Sequence, residues 1–295
     1  MMKKSSIGRY FPIFVLPTLV AFSMFFLIPF LMGIGLSFFK FTTVADMWQS
    51  SENFVGIKNY VTAFTTDNDF INALGFSSMF TLVSIVTVNV FAFILALLLT
   101  KEIKGVSVFR SVFFMPNLIG GIVLGYIWKL LINAILAKLN SMGLTEGSNI
   151  TSDAAYGFFG LTVLTNWQLI GYMMIIYIAG LQNIPSDLIE AAQIDGASPL
   201  RVLFTIKIPM VMPSITICMF LTLANTFKMF DQNLSLTGGG PEKQTQMFAL
   251  DIFKTFFDRD GWQGVGQAKA VVFFIIVALI AFIQLKITNK KEVEQ

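Results

Sequence analysis

Leu82-Val83-Ser84-Ile85-Val86-Thr87-Val88-Asn89-Val90-Phe91-Ala92-Phe93-Ile94-Leu95-Ala96-Leu97-Leu98-Leu99 contains no charged residue, no glycine and no proline. Extended upstream to about residue 71, the run is long enough for a helix to cross a hydrocarbon core, which takes roughly 20 apolar residues. Runs of similar length occur at 12–39, 71–99, 109–133, 158–181, 210–234 and 268–287, so the sequence predicts six membrane-spanning helices. The composition requires the same solvent. A chain of 295 residues that is 55% hydrophobic and 13% charged has too much apolar surface for a soluble core, and lipid must cover it. The 22 glycines suit close helix packing in a bilayer. The expected fold is therefore an all-α integral membrane domain spanning residues 1–295, with no linker dividing it.

The sequence supplies little for enzyme chemistry. It has no His, which removes the commonest metal ligand and proton carrier, and its one Cys, Cys218, lies in an apolar run. Neither a disulfide framework nor a multi-cysteine metal site is available. The first run is too long for a signal-peptide core and has no small-residue cleavage site, so it reads as a retained span, kinked or ended locally by Pro12, Pro17 and Pro29.

Six crossings put both termini on one side. That side carries Lys3, Lys4, Arg9, Lys101, Lys104, Arg110, Arg201, Lys207, Lys286, Lys290 and Lys291, 11 of the 20 basic residues, against six acids. The positive-inside rule makes it the cytoplasmic side, and the segment 182–209 lies there too.

That segment is long for a connection between spans. It reads Ile184-Pro185-Ser186-Asp187-Leu188-Ile189-Glu190-Ala191-Ala192-Gln193-Ile194-Asp195-Gly196-Ala197-Ser198-Pro199-Leu200-Arg201 and continues to Pro209. Asp187 as a cap with Glu190 reaching back predicts a capping box, and Gly196 supplies a left-handed stop. Ser198 and Pro199 then begin a second short helix. Local physics leaves two readings: a capped interfacial helix, or a rigid knob made for a socket. The pattern Glu190-Ala191-Ala192, Asp195-Gly196-Ala197, Ile206-Lys207-Ile208-Pro209 resembles the signature loop of the permeases of binding-protein-dependent ABC importers. The resemblance implies a type I importer permease fold, in which the first short helix is a coupling helix docking into an ATPase. Asp187, Glu190, Ala191, Ala192, Asp195, Gly196 and Pro209 then carry the coupling.

Further stretches resemble the carbohydrate branch, of the kind of the larger maltose-transporter permease and the glycerol-phosphate permease. They are Phe54-Val55-Gly56-Ile57-Lys58-Asn59-Tyr60, Met115-Pro116, Trp128-Lys129, Trp167, Ala179-Gly180-Leu181-Gln182-Asn183-Ile184-Pro185, Phe230-Asp231 and Leu236-Thr237-Gly238-Gly239-Gly240-Pro241. The additional amino-terminal spans and large outer domain of the maltose-type subunit are absent. Thr237, Gly238, Gly239, Gly240 and Pro241 read either as a plain turn or as an outer gate or binding-protein contact, and a short interfacial helix is expected over 246–257.

Polar groups within spans are costly unless they face the bundle interior. Asn89, Asn117, Asn166, Trp167, Gln168, Asn225, Lys228 and Asp231 are therefore candidates for a pathway, since amides and rings match a neutral polyol. Each also fits an interhelical hydrogen bond, and Lys228 and Asp231 fit a mutual pair. No carboxylate lies near a span's middle, which weighs against an ion-coupled secondary transporter. No Gly-x-x-x-x-Gly-Lys-Ser/Thr phosphate loop is present, so this chain itself needs no cofactor. The resemblance implies ATP and Mg on a partner ATPase, two such ATPase domains, a second related permease, an extracellular or periplasmic solute-binding protein, and a multi-pass place in a bacterial cytoplasmic membrane. The cargo implied is a sugar or oligosaccharide, or alternatively glycerol phosphate or another polyol. Nothing points to nucleic acid.

Overall fold

The computed structural model describes residues 7–42, 53–101 and 104–289. Lys3, Lys4, Lys290 and Lys291, used above to orient the chain, lie outside the described residues. The regular elements are helical, apart from one isolated antiparallel bridge between Phe39 and Phe54. Among the described residues, five helices are long and apolar enough to cross a membrane: Ile13–Leu36, Asn68–Leu99, Gly121–Ser141, Ala154–Gln182 and Gln263–Gln284. Pro199–Met210 and Met212–Phe227, bent by 70° at their junction, pass the same test only when taken together, which brings the number to six if the pair is one span.

Two spans differ from the sequence expectation. The third does not run through 109–133. Val106–Phe114 forms its own helix, Met115–Leu118 a 3-10 turn, and the crossing helix begins at Gly121. Pro116 has no N–H to continue the ladder, and Gly120 is extended (φ −61, ψ 140), so the chain restarts there. The fifth stops at Phe227 and resumes as a separate short helix, Asp231–Leu236.

Prolines shape the other helices by a repeated device. Pro29 lies two residues beyond a π-helical turn at Ser23–Leu27, where the Ile28 N–H bonds the Ser23 carbonyl. Pro209 follows a π turn at Leu203–Lys207 in the same way, with Ile208 bonded to Leu203. The wider turn takes in a proline ring that would collide with a carbonyl four residues back, and the helix goes on. Pro29 therefore does not end the first span.

The chain resolves into two compact units, Met1–Asn68 with Ile252–Phe273, and Asp69–Asp251 with Phe274–Gln295. In the first, Asn59 of the helix Lys58–Thr65 donates to the carbonyls of Ser37 and Phe39, both at 2.9 Å, and ties that helix to the end of the first span. The Ser37 and Tyr60 hydroxyls meet at 2.6 Å. The same unit buries an ionic cluster. Lys269 Nζ lies 2.8 Å from Asp67 Oδ2 and 2.7 Å from Thr255 Oγ1, and Arg259 adds a 2.9 Å contact to the same carboxylate.

In the second unit the fourth span is the axis. Val88, Ala92 and Ala96 of the second span and Cys218 of the fifth pack with Met173, Met174, Tyr177 and Ile178 in one buried cluster. Gly171 admits the backbone of the Val106–Phe114 helix: a Cβ there would stand 1.8 Å from the Phe113 carbonyl oxygen. No side chain could occupy that position.

Candidate functional site

The segment 182–209 folds as two short helices joined by a tight turn at Gly196. Pro185 (φ −58, ψ 130) precedes the helix Ser186–Ile194, so Asp187 lies in its first turn and the predicted capping box with Glu190 does not form. Pro185 starts the helix one residue early, and the Asp187 side chain meets only the Ser186 hydroxyl, at 3.3 Å. The stop forms as expected. Gly196 (φ +75) and Ala197 return hydrogen bonds of 3.0 and 2.9 Å to the carbonyls of Gln193 and Ala192, closing a Schellman motif. A Cβ on Gly196 would meet nothing within 4 Å, so its glycine is needed for its dihedral alone. Ser198 caps the next helix, accepting from the Arg201 N–H at 3.3 Å with Pro199 following. Pro209 enters the bend.

The knob has two faces. Ile184 and Val202 are buried, and Ile189, Ile206 and Met210 pack on the Tyr177–Val211 cluster. The other face carries exposed Asp187, Glu190, Ala191 and Asp195, partly exposed Ala192, and Leu188, Ile194, Leu200 and Phe204, with Ile194 86% exposed. This face thus joins large exposed apolar groups to three exposed carboxylates.

The polar residues of the spans separate into three groups. Asn89 is in a buried network: it accepts from the Tyr177 hydroxyl at 2.7 Å and donates to Thr222 Oγ1 at 3.2 Å and to the Ile85 carbonyl at 2.8 Å. Asn166 donates to Thr87 Oγ1 at 3.0 Å and to the Thr162 carbonyl at 2.8 Å. Beside it Trp167, 45% exposed, stands edge-on to Trp128 with centroids 5.7 Å apart. Gln168 donates to the Ile119 carbonyl at 3.3 Å, just past the half-buried Asn117, and accepts from Gln232 at 2.8 Å. Asn225, Lys228 and Asp231 form the third group, exposed near the interrupted end of the fifth span. Lys228 and Asp231 fall on either side of the break and do not pair with each other.

The glycine stretch is organised by a residue that sequence reasoning missed. Asn233, fully buried, donates to Thr237 Oγ1 at 3.0 Å and to the Thr245 carbonyl at 2.8 Å, and accepts from the Met247 N–H at 2.9 Å. Thr237 Oγ1 also accepts from the Gly239 N–H, and Thr245 Oγ1 donates to the Gly240 carbonyl. Gly238 and Gly239 have positive φ, and Gly240–Pro241 is cis. The expected helix follows at Phe248–Phe257. In the polar run Asp231-Gln232-Asn233 the sequence carried no signal that set Asn233 apart from its neighbours.

Residues 76–291 match the family model of the binding-protein-dependent transport system inner membrane component. The chain is 40% identical over 290 residues to the probable starch degradation products transport system permease protein AmyD of Thermoanaerobacterium thermosulfurigenes, covering 97% of this chain and 96% of that one. It is 32% identical to the multiple sugar-binding transport system permease protein MsmF of Streptococcus mutans, over 95% of each. A chain of the crystal structure of a bacterial ABC transporter importing the acidic polysaccharide alginate superposes with a TM-score of 0.80 at 17% identity, covering 96% of this chain and 97% of that one. With its apolar helices, its knob and this match over most of its length, the chain belongs to the family of binding-protein-dependent transport system inner membrane components, transport subunits rather than enzymes.

Proposed function

We propose that the chain is the permease subunit through which a sugar or oligosaccharide, delivered by an extracellular solute-binding protein, crosses a bacterial cytoplasmic membrane. Its termini and the 182–209 knob face the cytoplasm. A second related permease completes the pathway, and two ATPase domains, which hold the ATP and Mg, each grip one knob.

The exposed strip Asn225, Lys228 and Asp231 carries this reading. Such groups are not stable against lipid, so this side of the fifth span faces a polar pathway. Asn117, Gln168 and Trp167 add amides and an indole, the chemistry that suits hydroxyls and sugar faces. Asn89 and Asn166 support the wall from behind, through their hydrogen bonds to neighbouring helices. One lysine set near one aspartate favours a neutral cargo over an anion. The names of the relatives, starch degradation products and multiple sugars, agree with that class.

Asp187, Glu190, Ala191, Ala192, Asp195, Gly196 and Pro209 transmit the ATPase stroke. Helix, Schellman stop and Pro209 bend together make a lever stiff enough to push the fifth span. The test is Glu190→Ala and Gly196→Val in the assembled transporter. Membrane levels should match wild type while uptake falls at least tenfold, with ATP hydrolysis no longer responding to loaded binding protein. Normal uptake by both variants would sink the assignment.

A further inference from the structure

Between the end of the second span at Leu99 and the helix Val106–Phe114 the chain makes a basic turn. Lys101 and Lys104 are exposed in it, and Gly105 (φ 84, ψ 10) then starts the nine-residue helix. No side chain caps that start. The Val108 and Phe109 N–H groups bond the Gly105 carbonyl, at 2.9 and 3.3 Å, whereas no side chain accepts from the N–H groups before them. A helix start left open in this way attracts an anion.

A second observation points to the same place. Val106, Arg110 and Phe114, four residues apart, form the partly buried stripe of this helix, and the Phe114 ring stands against Tyr172 of the fourth span. Arg110 is thus a cation on a packed face. It follows the helix start by one turn, and helical side chains lean back toward the N-terminus. Its Nη2 donates to the Leu99 carbonyl at 2.9 Å, but its Nε is buried with no hydrogen-bond partner. Arg110 forms no ion pair among the described residues. Glu102, the acid nearest to it in sequence, lies outside the described residues. Around the rest of the helix Val108, Phe109, Val112 and Phe113 are exposed, Val108 to 65%.

We infer that the open start of the helix Val106–Phe114, with Arg110 and Lys104, binds the phosphate of an anionic phospholipid whose acyl chains lie along Val108, Phe109, Val112 and Phe113. Phosphate oxygens accept from the N–H groups of a helix start and from a guanidinium Nε alike. The exposed apolar groups beside the cation select a lipid over a free anion, which has nothing to place against them. The inference rests on the proposed function, which turns this end of the chain to the cytoplasm, where the leaflet is anionic. A headgroup held there joins the end of the second span to the helix packed on the fourth.

The experiment titrates the complete transporter, delipidated in detergent, with dioleoylphosphatidylglycerol or dioleoylphosphatidylcholine and counts bound lipid by native mass spectrometry. Wild type should fill its tightest site with phosphatidylglycerol well below the concentration at which phosphatidylcholine binds. Arg110→Gln should raise the half-saturating phosphatidylglycerol concentration about tenfold, since a charge-assisted bond is lost. Lys104→Gln, at an exposed position in the turn, should raise it about fivefold without touching the packed face. Glu102→Gln should lower it. Equal binding of the two lipids by wild type, or phosphatidylglycerol binding unmoved by both Arg110→Gln and Lys104→Gln, overturns the site. If Arg110→Gln weakens phosphatidylcholine binding just as much, Arg110 only caps the second span and the assignment is wrong. If inorganic phosphate displaces phosphatidylglycerol at an equal concentration, the site is one for free phosphate and the lipid assignment falls. Loss of the ATPases from the Arg110→Gln complex in the same spectra would give the cation to a protein contact instead. A membrane-impermeant maleimide that labels Lys104→Cys from outside the cell would overturn the proposed orientation, whereas failed lipid selectivity without such labelling faults this inference alone.

Discussion

The Tyr177 hydroxyl donates to Oδ1 of Asn89 at 2.7 Å, joining the fourth span to the second, and the Asn89 amide continues to Thr222 on the fifth. Three helices are thereby joined through one side chain inside an apolar cluster. Interhelical hydrogen bonds in membranes contribute about 0.6 kcal/mol on average, whereas an orphaned buried polar group costs about 1–3 kcal/mol. Tyr177→Phe should thus lower stability slightly and spare uptake. Asn89→Leu, which takes away the acceptor of the buried Tyr177 hydroxyl and one of the two hydrogen bonds of Thr222 Oγ1, should lower the melting temperature of the purified transporter clearly. Loss of uptake by Asn89→Leu at unchanged melting would instead make Asn89 a cargo contact.

The ease of reading differed along this chain for physical reasons. Spans were legible because a bilayer imposes length and apolarity on each helix separately, and the Gly196 stop because only a positive φ demands glycine there. Breaks at 115–120 and 228–230 were not, since apolarity continues through them while Pro116 and the Lys228–Phe230 corner interrupt the ladder. The Asp187 cap failed because Pro185 began the helix first. The Asp67–Lys269 pair was missed because its members lie 202 residues apart, and Asn233 because nothing in the sequence sets it apart from the polar residues beside it. Lys269, a charge inside an apolar run, was the flag left unread.

Replacing Gly171 tests the tightest approach in the fold. A Cβ there lies 1.8 Å from the Phe113 carbonyl oxygen, and backbone cannot yield as a side-chain tip does. Gly171→Ala should move the Val106–Phe114 helix off the fourth span and reduce the level of folded protein severalfold, by membrane fractionation and size-exclusion profile. Gly35→Ala, with nothing within 4 Å of its Cβ, is the control and should accumulate normally. Equal levels for both would overturn the packing.

Asn233→Ala removes three buried hydrogen bonds and strands the Thr245 carbonyl and Met247 N–H. At about 1–3 kcal/mol for each orphaned group, the 237–247 loop should open. The expected readout is new protease cleavage near Gly238–Lys243 in detergent-solubilised transporter. Asn225→Ala, exposed and bonded only to the Leu221 carbonyl, should create no such site. A loop equally protected in Asn233→Ala would deny Asn233 its role as hub.

Asp67 and Lys269 test whether a buried ion pair holds the first unit together or only tolerates itself. Lys269 is fully buried and Asp67 nearly so, with 2.8 Å between their charged atoms. Removing one member of a buried pair typically costs about 3–5 kcal/mol, because the remaining charge loses its compensation, whereas removing both is far milder. Asp67→Asn and Lys269→Met should each lower the melting temperature substantially, and the double variant should recover much of the loss. Arg259, 27% exposed at its side chain, also contacts Asp67 and gains solvent when that carboxylate is neutralised, so Arg259→Gln should be the mildest single change. Melting curves for the four variants in one lipid composition give the coupling directly. Additive losses in the double variant would show that Lys269 depends on its other contacts, and that Asp67 acts mainly at the entrance to the second span.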